Sequence, residues 1–281
     1  MRIALASGKG GTGKTLVATS LAWWLAEHGE EDVAYLDADV EEPNGHLFLP
    51  HEGVESARVQ VRVPEVIPGR CVGCGVCQST CVYNAVLALR DDILLFDELC
   101  HSCGACVLAC PEGALVERQR EVGSLLQARA GPLRLVWGVL DVGEARAVPL
   151  ISAVLDARPA RLEVVDCPPG TSCSTMNAVR GADLVVLVTE PTPFGLHDLD
   201  LAVRMCQALG LQVAVVINRS DVAELPLERW LEERGIPLLA QIPFQADLAR
   251  DLAEGVLGVD SSDEVRAAVA AVAHHALGRA P

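Results

Sequence analysis

Two runs of closely spaced cysteines constrain the fold of this 281-residue chain more than any other feature. Each run reads C-x2-C-x2-C-x3-C, and together they take up eight of the eleven cysteines. The first run is Cys71, Cys74, Cys77 and Cys81, and the second is Cys100, Cys103, Cys106 and Cys110. Thiolates are soft ligands that suit iron–sulfur clusters or zinc. Zinc usually takes two C-x2-C pairs and does not need the third and fourth spacings, so the pattern favours iron–sulfur clusters over zinc.

A second motif lies at the start of the chain, between an apolar strand-like run at 2–6 and an apolar helix-like run. It consists of Gly8, Lys9, Gly10, Gly11, Thr12, Gly13, Lys14 and Thr15. This is a phosphate-binding loop, in which glycines let backbone N–H groups approach phosphate oxygens and the helix presents its positive end. Lys14 is expected to reach the β- and γ-phosphates, and the Thr15 hydroxyl to bind Mg²⁺. The sequence therefore predicts a nucleoside triphosphate site.

Strand-like apolar runs alternate with helix-compatible stretches on both sides of the cysteines. This alternation predicts the α/β class, with a mostly parallel sheet that carries helices on both faces and gathers ligands at its carboxyl edge. The predicted strands are 2–6, 33–37, 133–140, 162–166, 184–189, 213–218 and 237–242. The predicted helices are 15–28, 145–157, 171–179, 196–209, 223–234, 247–254 and 263–277.

Composition sets off the cysteine segment as an insertion. Pro64 and Pro68 lead into it, and ordinary α/β patterning returns near Val116. We therefore predict a discontinuous nucleotide-binding domain, residues 1–57 and 118–281, interrupted by an α+β domain at 58–117. The first residues of the insert are expected to form a connecting strand or hairpin.

Charge and hydropathy exclude several functional classes. The chain has 22 basic and 38 acidic residues, a formal net charge of −16, and no basic patch, so we expect no nucleic-acid partner. No segment reaches the ~18 apolar residues that a membrane helix needs, and the first strand leaves no room for a signal peptide. The C-terminal helix lacks the lysines of a membrane anchor. Many cysteines without an export signal indicate a reducing cytoplasm.

The loop around Lys9 carries a family resemblance. The string KGGTGKT resembles the deviant Walker A loop of the MinD/ParA/Mrp and nitrogenase iron-protein class. The resemblance implies that the protein binds and hydrolyses ATP as a nucleotide-dependent dimer, either a homodimer or a heterodimer with a related ATPase. Lys14 and Lys9 are then catalytic, and Lys9 reaches across the dimer to the partner's nucleotide. The alternative is that Lys9 only adds local charge for the phosphates.

Two further stretches fit this class. Residues 37–44, DADVEEPN, resemble its switch I stretch, which implies that Asp37 lies near the metal shell and that Asp39 positions or activates the attacking water. Residues 166–170, DCPPG, resemble its switch II stretch, which implies that Asp166 holds Mg²⁺ through water and that Gly170 contacts the γ-phosphate. By the same resemblance Asn218 bonds the adenine edge, although a turn-forming asparagine is an alternative reading.

The cysteine runs resemble the ligand pattern of bacterial two-cluster ferredoxins, in which each fourth cysteine ligates the cluster of the other run. Val82 stands where the second run has Pro111, which we expect to loosen one turn. The resemblance implies two [4Fe–4S] clusters. Their ligands are Cys71, Cys74, Cys77 and Cys110 for one, and Cys100, Cys103, Cys106 and Cys81 for the other.

The whole chain resembles MinD-superfamily ATPases that carry an inserted ferredoxin domain, except that residues 143–150 lack an expected lysine. The leading hypothesis is an ATP-gated electron carrier that serves an unidentified redox or metalloprotein partner. The alternatives are a carrier or assembly factor for iron–sulfur clusters, and a MinD/ParA-like positioning switch whose clusters sense redox state. Cys173 is a further thiol that a dimer partner could face.

Overall fold

A nine-stranded sheet forms the centre of the computed structural model, which describes residues 1–90, 92–157, 160–222 and 225–279. In chain order the strands are β1 (Arg2–Ala6), β2 (Val33–Asp37), β3 (Glu52–Val66), β4 (Val86–Ala88), β5 (Ile93–Leu95), β6 (Leu115–Ala130), β7 (Leu133–Leu140), β8 (Leu162–Asp166), β9 (Leu184–Thr189), β10 (Val213–Asn218) and β11 (Leu238–Ile242). The order across the sheet is β11-β10-β9-β1-β8-β2-β7-β6-β3. The strands from β11 to β7 are parallel, which confirms the predicted α/β architecture.

The described residues form ten helices. They are α1 (Lys14–Glu27), α2 (Val76–Thr80), α3 (Ala105–Ala109), α4 (Val148–Leu155), α5 (Cys173–Val179), α6 (Pro193–Ala208), α7 (Leu227–Glu232), α8 (Ala246–Ala253), α9 (Gly258–Ser261) and α10 (Asp263–Leu277). The first two residues of the helix predicted at 223–234 lie outside the described ranges. No helix in these ranges is long and apolar enough to cross a membrane.

The central parallel strands bury side chains on both of their faces. Ile3 and Leu5 of β1 pack in one core with α1 and α10, whereas Ala4 and Ala6 pack in a second core with α4, α5 and α6. Because successive side chains of a strand point to opposite faces, such a strand must be apolar throughout. The continuous aliphatic runs in the sequence follow from this arrangement.

A long antiparallel ribbon extends the sheet at one edge. β3 pairs with β6 from Glu52 opposite Arg129 to Val66 opposite Leu115, and only the second half of β6 also pairs with β7. The ribbon therefore continues past the sheet and carries residues 67–114 at its far end. The predicted domain limits fall inside β3 and β6, and the division into two domains stays a prediction.

The cysteine segment is built from two similar halves. The helices α2 and α3 follow Gly75 and Gly104, whose φ angles of 74° and 72° lie in the left-handed region that favours glycine. Both helices end at the fourth cysteine of a run, Cys81 or Cys110, in extended backbone. Turns follow at the same place in both halves, at Val82 and at Pro111, and a looser turn at Val82 stays a prediction. β4 and β5 form a small hairpin beside the helices.

Candidate functional site

The phosphate-binding loop lies at the carboxyl end of β1, in the middle of the sheet between β8 and β9. Gly11 and Gly13 have φ angles of 78° and 92°, which a residue with a side chain adopts only under strain. The helix α1 begins at Lys14 directly after the loop, and Thr15 is its second residue. The strand–loop–helix context predicted for the motif is therefore confirmed.

Gly8 and Gly13 are also required by close packing. A Cβ atom on Gly8 would lie 2.4 Å from the backbone oxygen of Asp198 in α6, and a Cβ on Gly13 would lie 2.2 Å from Nδ2 of Asn218. Both distances are too short for a real contact. The loop thus packs closely against both α6 and the end of β10.

Lys14 is buried and forms an ion pair with Asp166, at the end of β8. The second oxygen of the Asp166 carboxylate accepts a hydrogen bond of 3.0 Å from the Tyr35 hydroxyl. Burial alone would lower the pKa of Lys14, but Asp166, Asp37 and Asp39 together outweigh burial and raise it. The lysine is therefore held charged next to three carboxylates.

Asp37 ends β2 beside this ion pair. Its oxygens accept N–H hydrogen bonds from Asp39 at 3.1 Å and from Gly45 at 3.0 Å. Burial and the nearby Asp166 carboxylate raise the pKa of Asp37 to about 8. Burial also raises the pKa of Asp39 to about 6, against the opposing effect of Lys14. Three carboxyl groups lie around one ammonium, and this oxygen-rich donor set fits a hard divalent cation such as Mg²⁺.

The stretch 166–170 is attached directly to the phosphate-binding loop. The Gly170 N–H donates a hydrogen bond of 2.8 Å to the carbonyl of Ser7, and the Gly170 φ angle is 87°. The Thr175 hydroxyl donates to the Pro168 and Pro169 carbonyls, and Cys173 is exposed at the start of α5. Gly170 thus lies where the loop begins.

Asn218 is buried beneath the loop. Its Nδ2 donates a hydrogen bond of 2.8 Å to the Thr12 carbonyl, and its Oδ1 accepts one of 3.0 Å from the Arg219 N–H. Both ends of the side-chain amide therefore bond to the chain itself. Contact with an adenine base stays a prediction.

The remaining loop cation, Lys9, contacts a residue that sequence reasoning missed. Its Nζ lies 3.0 Å from Oε2 of Glu190, which follows β9, and Arg219 Nη1 lies 2.6 Å from the other oxygen, Oε1. The only signal in the sequence is an acidic residue directly after a buried strand that is apolar up to its last residue, Thr189. Such a residue lies at the carboxyl edge of the sheet, where ligands bind.

The eight clustered cysteines line two separate cavities. One is bounded by Cys71, Cys74, Cys77 and Cys110, and the other by Cys81, Cys100, Cys103 and Cys106. The fourth cysteine of each run thus faces the cavity of the other run. Within the described residues, no group of three or more His, Cys, Asp or Glu side chains is arranged to hold a single metal ion.

Backbone N–H groups point at the sulfur atoms at equivalent places in both halves. The Gly73 and Ser102 N–H groups donate to the first cysteine of their run, at 3.4 Å each. The Ala85 and Ala114 N–H groups donate to the fourth, at 3.3 and 3.2 Å. Such bonds stabilise negative charge on sulfur, so the donor set suits thiolate ligands.

The profile of one nucleotide-binding family, described as the CobQ/CobB/MinD/ParA nucleotide binding domain, matches residues 3–258. The chain belongs to this family. Within the CobQ/CobB/MinD/ParA family it is similar to an uncharacterized protein of Methanocaldococcus jannaschii, at 29% identity over 94% of this chain and 92% of that protein. It is also similar to the iron–sulfur cluster carrier protein of Synechocystis, at 26% identity over 96% of this chain and 68% of that protein.

The fold is that of MinD. The structure of the septum site-determining protein MinD from Pyrococcus horikoshii, complexed with Mg-ADP, aligns with a TM-score of 0.59 at 20% identity. The alignment covers 96% of this chain and 93% of that one. Together with the family match, this makes the protein a MinD/ParA-type P-loop ATPase.

Proposed function

We propose that this ATPase holds two [4Fe–4S] clusters and couples ATP turnover to electron transfer, working as a nucleotide-dependent dimer. The observation that carries the proposal is the pair of cavities, each lined by four cysteines drawn from both runs. Two interleaved C-x2-C-x2-C-x3-C runs with exchanged fourth cysteines are the ligand arrangement of two-cluster ferredoxins. Clusters of this kind take up and release single electrons.

The nucleotide half of the proposal rests on the buried charges around Lys14. Lys14 would bind the β- and γ-phosphates, while Thr15 and Asp166 would hold Mg²⁺ directly or through water. Asp37 would lie beside the metal, and Asp39 would orient the attacking water. Because Lys14 now pairs with Asp166, nucleotide binding would exchange this ion pair for phosphate and metal contacts.

A continuous set of contacts supports coupling between the two sites. The Leu140 N–H donates to the carbonyl of Val40, the residue after Asp39, at 2.9 Å. Directly after β7, Asp141 binds Arg58 of β3, with Nη1 3.0 Å from Oδ1. A displacement of the stretch around Asp39 would therefore act on the root of the ribbon that carries the cysteines.

A second junction holds the other strand of the ribbon. Glu144 is buried and forms ion pairs with Arg120 of β6 and with Arg146. Arg146 lies in the stretch where the expected lysine is missing, so a cation is still present there. Both strands of the ribbon thus form ion pairs with the loop that follows β7. These contacts support motion of the ribbon as one body.

The test is spectroscopic. The full-length protein, purified without oxygen, should contain iron and acid-labile sulfide and give a low-potential cluster signal in electron paramagnetic resonance after dithionite reduction. Mg-ATP should change this signal in the native protein and leave it unchanged in the Lys14→Ala variant. A protein with bound zinc and no sulfide would reject the cluster assignment. A strong signal that is indifferent to Mg-ATP would reject the coupling.

A second candidate function is delivery of a cluster to another metalloprotein. It is favoured by the name of the Synechocystis relative, an iron–sulfur cluster carrier protein. This alternative predicts that iron and sulfide move to an apo-acceptor when ATP is supplied. Stable clusters that reduce and reoxidise without leaving the protein would favour the electron carrier instead.

A further inference from the structure

We propose that Glu190 is a positioning residue that holds Lys9 on its own chain, and that Lys9 is released when two chains pair around nucleotide. The proposal rests on the nucleotide-dependent dimer proposed above. Lys9 lies in the exposed half of the phosphate-binding loop, and its side chain is 35% accessible, yet its ammonium turns inward to the Glu190 carboxylate. In this position Lys9 cannot extend outward toward a second chain.

Glu190 is fixed, which makes Lys9 the partner that moves. The Glu190 side chain is only 10% exposed. Its carbonyl accepts a hydrogen bond of 2.8 Å from the Thr192 N–H, and a Cβ on Gly195 would lie 2.2 Å from the same oxygen. The start of α6 therefore packs tightly on the Glu190 backbone. Lys9, by contrast, belongs to a glycine-rich loop whose neighbouring Gly10 is exposed.

Arg219 makes the release of Lys9 possible. A buried carboxylate without a cation would be strongly destabilising. Arg219 already occupies the other oxygen of Glu190, so the carboxylate keeps one partner when Lys9 leaves. Arg219 has a φ angle of 50°, a strained conformation for a residue other than glycine. Non-glycine strain of this kind persists where the surrounding structure holds it, often at functional sites.

Arg219 also connects this pair of ion contacts to the middle of the phosphate-binding loop. Arg219 follows Asn218, and Asn218 bonds the Thr12 carbonyl of the phosphate-binding loop. Glu190 thus lies between two cations, Lys9 of the phosphate-binding loop and Arg219, the neighbour of Asn218. While Lys9 is held by Glu190, only a fraction of chains is competent to pair, and the apparent affinity for pairing falls by that fraction.

The experiment compares Glu190→Gln, Arg219→Ala and Glu233→Gln in the full-length protein, with and without a Lys9→Ala background. The protein concentration for half-dimerisation is measured by analytical ultracentrifugation with Mg²⁺ and a non-hydrolysable ATP analogue. Neutralising Glu190 should lower this concentration roughly fivefold, as expected for a partly exposed ion pair. Removing Arg219 leaves Lys9 as the cation that pairs with Glu190. This change should raise the concentration for half-dimerisation. Glu233 belongs to an exposed pair with Arg229, and its variant should match the native protein.

The Lys9→Ala background separates positioning from a structural role. In that background the Glu190 and Arg219 variants should no longer shift the concentration for half-dimerisation in opposite directions. A shift caused by loss of structure would persist without Lys9. The proposal is overturned if either shift survives, or if Glu190→Gln and Arg219→Ala change dimerisation in the same direction. Arg219 is half exposed, so its variant tests the idea even if Glu190→Gln folds poorly.

A second readout needs no dimer. Acetic anhydride acylates accessible lysine side chains through the neutral amine, with release of acetate and a proton. Mass spectrometry of peptides reports the extent of acylation at Lys9. In the nucleotide-free monomer, Glu190→Gln should increase acylation of Lys9 severalfold and leave that of Lys14 unchanged. Unchanged Lys9 labelling would overturn the positioning role itself. Increased labelling in a protein that never dimerises would instead reject the dimer and the release step.

Discussion

Cys110 lines the same cavity as Cys71, although the two residues belong to different cysteine runs. The chain achieves this because α2 and α3 pack against each other in two similar halves, each begun by a left-handed glycine and ended by an extended cysteine. Each cavity therefore needs both halves of the segment. Replacing the fourth cysteine of one run should therefore affect the cavity that the first three cysteines of the other run line.

Replacing Cys110 tests its role as a cluster ligand. In anaerobically purified Cys110→Ala protein we expect iron to fall from about eight to about four atoms per chain, because one of two four-iron sites loses a thiolate. Cys81→Ala should have the same stoichiometric effect on the other site. Iron and sulfide analysis measures both changes, and Cys173→Ser, an exposed thiol outside the runs, is the control. Full iron content in both alanine variants would contradict the assignment of Cys81 and Cys110 as cluster ligands.

Lys14→Ala should abolish Mg-ATP binding, because it removes the ammonium that meets the phosphates. It should also destabilise the nucleotide-free protein by about 3 kcal/mol, since Asp166 stays buried without its cation. Calorimetric titration with Mg-ATP and thermal unfolding measure the two effects. Lys9→Ala is the matched control, and we expect it to retain binding while losing turnover. Unchanged turnover in Lys14→Ala would rule out this lysine as part of the site.

Gly13→Ala should unfold more readily than the native protein by about 2–4 kcal/mol. The new Cβ would collide with the Asn218 side chain, and alanine is strained at a φ angle of 92°. Gly10→Ala is the control, since a Cβ there meets open space. Urea unfolding of both variants measures the difference. Equal stability of the two would show that the loop relaxes away from Asn218.

Asn218→Ala should destabilise the protein by about 1–3 kcal/mol, because the Thr12 carbonyl loses a buried hydrogen bond. Chemical unfolding without nucleotide measures this effect. The ratio of ATP to GTP affinity in the same variant tests the base contact predicted from sequence. A changed ratio supports that contact, whereas an unchanged ratio assigns Asn218 to loop support alone.

Most of the parallel sheet could be predicted, because buried parallel strands are apolar on both faces and leave continuous runs in the sequence. The bounds of β2, β7, β8, β9, β10 and α10 agree with the prediction. The strand β6 was missed. Its outer half alternates charged residues, such as Arg118 and Arg120, whose partners Asp97 and Glu144 come from other elements. No local sequence pattern predicts a strand whose ion-pair partners lie that far away along the chain.

The sequence by itself determined the phosphate-binding loop, the order of the βα units and the two cysteine runs, because spacing along the chain dictates each of these. Only the tertiary structure decided that Lys14 pairs with Asp166, that Glu190 holds Lys9 together with Arg219, and how the ribbon is fixed to the loop after β7. These contacts join residues that are far apart in the chain. Their geometry depends on strand order and on the packing of separate elements, which local sequence patterns do not encode.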